Sequence, residues 1–192
     1  MRSTYLVVTA AVLVLAGCSG PDAVPADPAA SGSVAGGPQG SPSAGRHWKG
    51  LAAQCPELTG DAAKDLGVGG AGVPGDGYQT NQLFTRAACR WGGADGTGNA
   101  VEADVGIYPG KNGQVGADAA WQVLKGFSGT PVPVGDEALL NDELGAVVVR
   151  VRSGNVVATV RLIPPSRGTD PAPLRKSAVA VTGDVLDDLV EG

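Results

Sequence analysis

Histidine is almost missing from this chain of 192 residues, which has only His47. A zinc site built on paired histidines is therefore excluded. A Ser-His-Asp triad would have to take its base from the edge of a Gly/Pro/Ser-rich segment. Aromatic residues make up only 4% of the chain, so Val, Leu and Ala must fill the core, and platforms for stacking sugars are scarce. A Gly-x-Ser-x-Gly nucleophile elbow is also missing, since Gly126-Phe127-Ser128-Gly129-Thr130 misses it by one position. Positive charge is in deficit: 14 Lys and Arg face 19 Asp and Glu, a formal net charge of −5. That argues against nucleic acid as a partner and against electrostatic attraction to anionic lipid. No apolar run reaches the roughly 20 residues of a membrane-spanning helix. The N-terminal one, residues 5–16, is broken only by Thr9 and is about 12 long.

What that first stretch does contain is an export signal. Arg2 and the amino terminus supply positive charge, the apolar run follows, and small residues lead into Leu15-Ala16-Gly17-Cys18. These four residues resemble the lipobox of bacterial lipoproteins. The resemblance implies diacylglycerol on the Cys18 thiol and cleavage between Gly17 and Cys18, giving a signal peptide over residues 1–17. Two acyl chains are the number needed for stable anchoring. The alternative is an ordinary secretory signal with a chance cysteine at the cut. Loss of Arg2 from the 14 basic residues leaves 13 against 19 acidic, a net charge of −6. Lipid, not a basic patch, would then make the membrane contact. The expected location is the extracytoplasmic face of the cell membrane.

Three cysteines are present. With Cys18 lipidated, Cys55 and Cys89 remain as a pair in an oxidising compartment, where disulfides persist. The alternative is two buried free thiols.

Residues 18–47 are expected to form a lipidated, disordered tether. From 19 to 45 the chain is nearly all Gly, Pro, Ala, Ser and Asp, too little apolar surface to offset its ordering entropy. As a flexible coil, about 27 residues span roughly 25–30 Å. Residues 48–192 then make one domain. A short helix is expected over 60–66, with Thr59 as cap and Gly67 closing it. Residues 68–77 are glycine-rich and predict an irregular loop. Strands are expected over 82–91 and 100–108, where Val101, Ala103, Val105 and Ile107 alternate with Glu102, Asp104 and Gly106. Cys89 and Trp91 share one face of the first strand.

A second helix fits 117–125, with Ala117, Ala120, Trp121 and Leu124 on one side. Val147, Val149 and Val151 then alternate with Arg150 and Arg152. Val156, Ala158, Val160 and Leu162 repeat the pattern after the turn Ser153-Gly154-Asn155, which makes a hairpin. A last helix is expected from the Asp170 cap and Pro171, carrying Leu174, Ala178, Val181, Val185 and Leu189. Hairpins in place of crossovers predict an α+β fold, a twisted antiparallel sheet covered by two or three helices and stapled by one disulfide.

Candidate chemistry is sparse. Gly70-Ala71-Gly72-Val73-Pro74-Gly75 has the letters of a dinucleotide-binding loop but lacks the preceding strand and following helix. Asp136-Glu137 and Asp142-Glu143 are paired carboxylates of the kind used in glycoside hydrolysis when held about 5–9 Å apart. Asp184, Asp187, Asp188 and Glu191 lie where the helix dipole disfavours them and predict a solvated face. Trp91 and Trp121 occupy core-like positions. No cofactor and no metal site is expected.

The segment Cys55-Pro56-Glu57-Leu58-Thr59, followed by Cys89-Arg90-Trp91 on a strand, resembles the actinobacterial lipoproteins grouped as domain of unknown function 3558. Gly135-Asp136-Glu137-Ala138 before the late hairpin fits the same grouping, while Gly60-Asp61-Ala62 departs from its helix start. The resemblance covers roughly residues 52–190. It implies an anchored envelope protein with this disulfide, and it carries no established activity. The expectation is a non-enzymatic binding or accessory module whose partners are the membrane, through Cys18, and an envelope ligand or protein. The competing readings are a carboxylate-dependent hydrolase of cell-wall sugars and an accessory subunit of a transporter or sensor.

Overall fold

Alternating apolar and polar residues set most of the long strands, and hairpin turns join several of them. The structure is a computed structural model that describes residues 46–76, 79–80, 84–93, 97–110, 113–166 and 169–192. The expected signal, Cys18 and the expected tether as far as residue 45 lie outside the described residues. In chain order the elements begin with β1 (Trp48–Leu51), β2 (Glu57–Leu58), α1 (Asp61–Asp65), β3 (Gly70–Ala71), β4 (Val73–Pro74) and β5 (Gln79–Thr80). They continue with β6 (Thr85–Gly92), β7 (Ala100–Ile107), α2 (Gly113–Leu124), β8 (Thr130–Pro131), β9 (Glu137–Glu143) and β10 (Ala146–Ser153). Last come β11 (Val156–Ile163), a 3-10 turn (Ala172–Leu174), α3 (Arg175–Asp187) and β12 (Leu189–Glu191).

The main sheet has eight strands in the order β4-β6-β7-β11-β10-β9-β8, with β5 beside β6. Every pairing in it is antiparallel. The α+β class, the helix-covered antiparallel sheet and the single disulfide are as the sequence predicts. Val147, Val149 and Val151 of β10 face Val101, Val105, Val156, Val160 and Leu162 in one core, closed by Ala178, Val181 and Val185 of α3. Each fully buried Val or Leu contributes roughly 1.5–3 kcal/mol. The other face holds a smaller apolar cluster. There α2 lies along β10 and β11, and Ala117, Ala120, Leu124, Leu139, Val148 and Val157 are buried.

The disulfide joins Cys55, ahead of β2, to Cys89 on β6, 34 positions further along the chain, with Cα atoms 5.7 Å apart. It ties the α1 region to the sheet beside Trp91, which is buried in the same core.

Several local expectations are corrected. Thr59 does not cap α1; the Gly60 N–H instead donates to Asp184 Oδ2 at 2.9 Å. The Glu57 N–H likewise donates to Asp188. Asp184 and Asp188 are thus acceptors for a distant segment and not a solvated face. The local dipole penalty is outweighed by partners that sequence proximity does not reveal. The last helix ends at Asp187, and Leu189 belongs to β12, which pairs with β1. The loop expected over 68–77 contains β3 and β4, paired to β2 and β6. Trp121 is half-buried, with Lys125 Nζ 4.7 Å above its ring. His47 is half-buried and is packed on the domain, its Nε2 lying 3.2 Å from the Pro109 carbonyl.

The β9–β10 hairpin turns through Leu144 and Gly145, both with positive φ (52° and 82°), and Leu144 is 100% exposed. Such a turn favours Asn-Gly, because an Asn tolerates the left-handed region and a Leu does not. Leu144→Asn should raise the unfolding free energy by about 1 kcal/mol in chemical denaturation. Cys55→Ser and Cys89→Ser should each lower it by about 3–4 kcal/mol, because each opens the same loop. Clearly unequal losses in the two cysteine variants would contradict this account.

Candidate functional site

The sheet face under α2 is polar wherever the helix does not reach. Side chains on this face come from alternate positions, so cross-strand rows can be read from the register. One row runs Arg90–Glu102–Arg161 across β6, β7 and β11, and the next runs Ala88–Asp104–Thr159. Together these six residues line a cleft of about 430 Å³. The cleft lies where α2, which packs chiefly on β10 and β11, leaves the charged residues of β6 and β7 accessible.

The charges within it differ in how they are used. Arg86 clasps Asp104 with two nitrogens, its Nε lying 2.8 and 2.9 Å from the two carboxylate oxygens. That hydrogen bond holds the Arg86 pKa above its ordinary value. Burial pushes the nearby Tyr108 phenol up, and the Asp104 charge adds to it. Arg90 donates to the Gly93 carbonyl at 3.3 Å. Glu102 and Arg161 are direct neighbours, yet no ion pair joins them among the described residues. Arg161 Nε is buried without an acceptor. Nothing in the alternation of β7 or β11 marked these residues as a site; the signal was opposite charges falling in register on adjacent strands.

Asp136, Glu137, Asp142 and Glu143, the paired carboxylates of the sequence, are each engaged by an arginine. Arg152, only 2% exposed, lies 3.3 Å from Asp136 and 3.6 Å from Glu137. Asp136 also accepts the Gly154 N–H at 2.6 Å. The Gly135-Asp136-Glu137 segment therefore braces the β10–β11 turn, and Arg152 is a buried brace and not a solvent-facing residue. Glu143 pairs with Arg150 at 2.6 Å, and Asp142 pairs with Arg175. The two acid pairs sit at opposite ends of β9, about 20 Å apart at the strand rise. That is well beyond the spacing of a glycosidase pair.

Gly70-Ala71-Gly72-Val73-Pro74-Gly75 contributes β3 and β4, and Gly72 packs against the Trp91 ring, where a Cβ would collide with it. This is a packing role for the glycine. Among the described residues no group of three His, Cys, Asp or Glu is placed to hold a metal ion. No helix of the described residues is long and apolar enough to cross a membrane. Compared with known proteins, the chain matches no family model, no curated protein and no solved structure.

The Arg150 hydrogen bond holds the Glu143 carboxyl below its ordinary value. A depressed carboxylate contributes stability above its unfolded pKa and loses it as pH falls through the folded value. The stability difference between wild type and Glu143→Gln should therefore be full at neutral pH and shrink from about pH 4.5 downward. Denaturant titrations at stepped pH would show it, and a difference independent of pH would refute the pairing.

Proposed function

We propose that this chain is an exported protein held at the extracytoplasmic face of a membrane by lipid on Cys18. In this reading its domain is a non-catalytic binding module of the cell envelope that uses the cleft on the outer sheet face. The observation that carries the reading is the Cys55–Cys89 disulfide. It employs two of the three cysteines and leaves Cys18, directly behind Leu15-Ala16-Gly17. Disulfides persist where export signals deliver proteins, so the bond and the signal support one another.

Binding is favoured over carboxylate catalysis because Asp136, Glu137, Asp142 and Glu143 each face an arginine. In the cleft, by contrast, Glu102 and Arg161 stand side by side with no ion pair between them among the described residues. The order Cys55-Pro56-Glu57-Leu58-Thr59, Cys89-Arg90-Trp91 and Gly135-Asp136-Glu137-Ala138 supports grouping the chain with the domain of unknown function 3558 lipoproteins. In such a protein the tether would lift the cleft clear of the headgroups.

The anchor is tested with Cys18→Ala expressed in the native host and fed a labelled fatty acid. The variant should take up no label and leave the membrane fraction. Labelling at the wild-type level would overturn the assignment.

A further inference from the structure

Five carboxylates of β7 and of the segment 136–143 are matched to arginines: Asp104 to Arg86, Asp136 and Glu137 to Arg152, Asp142 to Arg175, and Glu143 to Arg150. Glu102 and Arg161 break the pattern. They face each other across β7 and β11 and both line the cleft, but they form no ion pair. Both are half-buried, where an unpaired charge is costly and an orphaned donor calls for a partner. Arg90 stands on the far side of Glu102 in the same row. The row is therefore positive, negative, positive, at the strand spacing of roughly 4.8 Å.

We propose that this row binds a small zwitterion of the α-amino-acid class. Its carboxylate lies on the guanidinium of Arg161, with Arg90 adding to the field, and its ammonium lies on Glu102. A simple anion would meet the Glu102 carboxylate between the two arginines. A simple cation would meet the arginines on either side. An amino acid carries its two charges one carbon apart, which suits groups on adjacent strands. Asp104 is unavailable to the ammonium, since Arg86 holds it on both oxygens. Thr159 supplies a hydroxyl to the floor, and Ala88 leaves room for a small side chain. The assignment rests on reading the domain as a binding module, but it does not depend on the anchor.

The test is a titration of the full-length, disulfide-bonded protein, followed by amide and guanidinium NMR, with alanine, acetate and ethylammonium as probes. Alanine should shift the resonances of Arg90, Glu102 and Arg161 and bind at least about tenfold more tightly than either half-probe, which corresponds to about 1.4 kcal/mol. Glu102→Gln should weaken alanine about tenfold while leaving acetate unchanged or stronger. Arg161→Gln should weaken both. Near-UV circular dichroism of each variant reports whether the fold is kept, and the comparison of probes on the wild type stands without any variant. Acetate binding as well as alanine would overturn the zwitterion and leave a plain anion site. No shift in this row with any probe would also overturn it. An envelope extract that shifted other residues would overturn this assignment while leaving the binding-module reading in place.

Discussion

The side-chain amide of Asn155 holds together three parts of the chain that are far apart in sequence. Its Oδ1 accepts the Trp48 N–H at 2.7 Å, and its Nδ2 donates to the carbonyls of Trp48 at 2.9 Å and Tyr108 at 3.0 Å. The residue is completely buried. Its backbone carbonyl accepts the Tyr108 N–H as well. One side chain thus fixes where β1 enters, where β7 ends and how the β10–β11 hairpin turns. Gly154 beside it has φ 52°, and a Cβ there would strike the Arg46 carbonyl. The turn can therefore pass under the N-terminal segment only with glycine in that place. Asp136 and Arg152 complete the arrangement by holding the Gly154 backbone from the other side.

With that corner fixed, the two faces of the sheet take on different roles. The Val-rich face is closed by α3 and forms the main core. On the other face α2 packs chiefly on β10 and β11, so charged residues of β6 and β7 can remain there without being forced into a dry interior. Where a charge is buried, as at Arg152 of β10, the neighbours are carboxylates that compensate it. Where charges border the cleft, solvent or a bound molecule can do so. The short reach of one helix thus separates a structural salt-bridge network from a surface that keeps unpaired charge.

Much of the architecture was legible because it is periodic. The alternations around Val101–Ile107, Val147–Val151 and Val156–Leu162 identified the central strands, and the cysteine count pointed to the disulfide. What could not be read locally depended on tertiary partners. Asp184 and Asp188 break the dipole rule because the acceptors they provide are needed by Gly60 and Glu57, more than a hundred residues away. β1 and β12 are too short for any period to show and exist by pairing with each other. The cleft was invisible for a related reason: Glu102 and Arg161 read as ordinary outward residues until the register set them side by side.

The same N-terminal clamp decides how the domain responds to force. Taken alone, β1 would peel from β12 one bond at a time under a pull on the preceding chain, beginning at the Gly192 N–H bond to the His47 carbonyl. Trp48 is not held by that ribbon alone. Its peptide groups are fastened to Asn155, and its indole donates to Ser153 at 3.1 Å. Tension entering at Arg46 is therefore passed into the hairpin of β10 and β11, in the middle of the sheet. There, many hydrogen bonds must yield together in place of one after another. That hairpin includes β11, whose Thr159 and Arg161 line the cleft, so tension on Arg46 is delivered to a strand that shapes it.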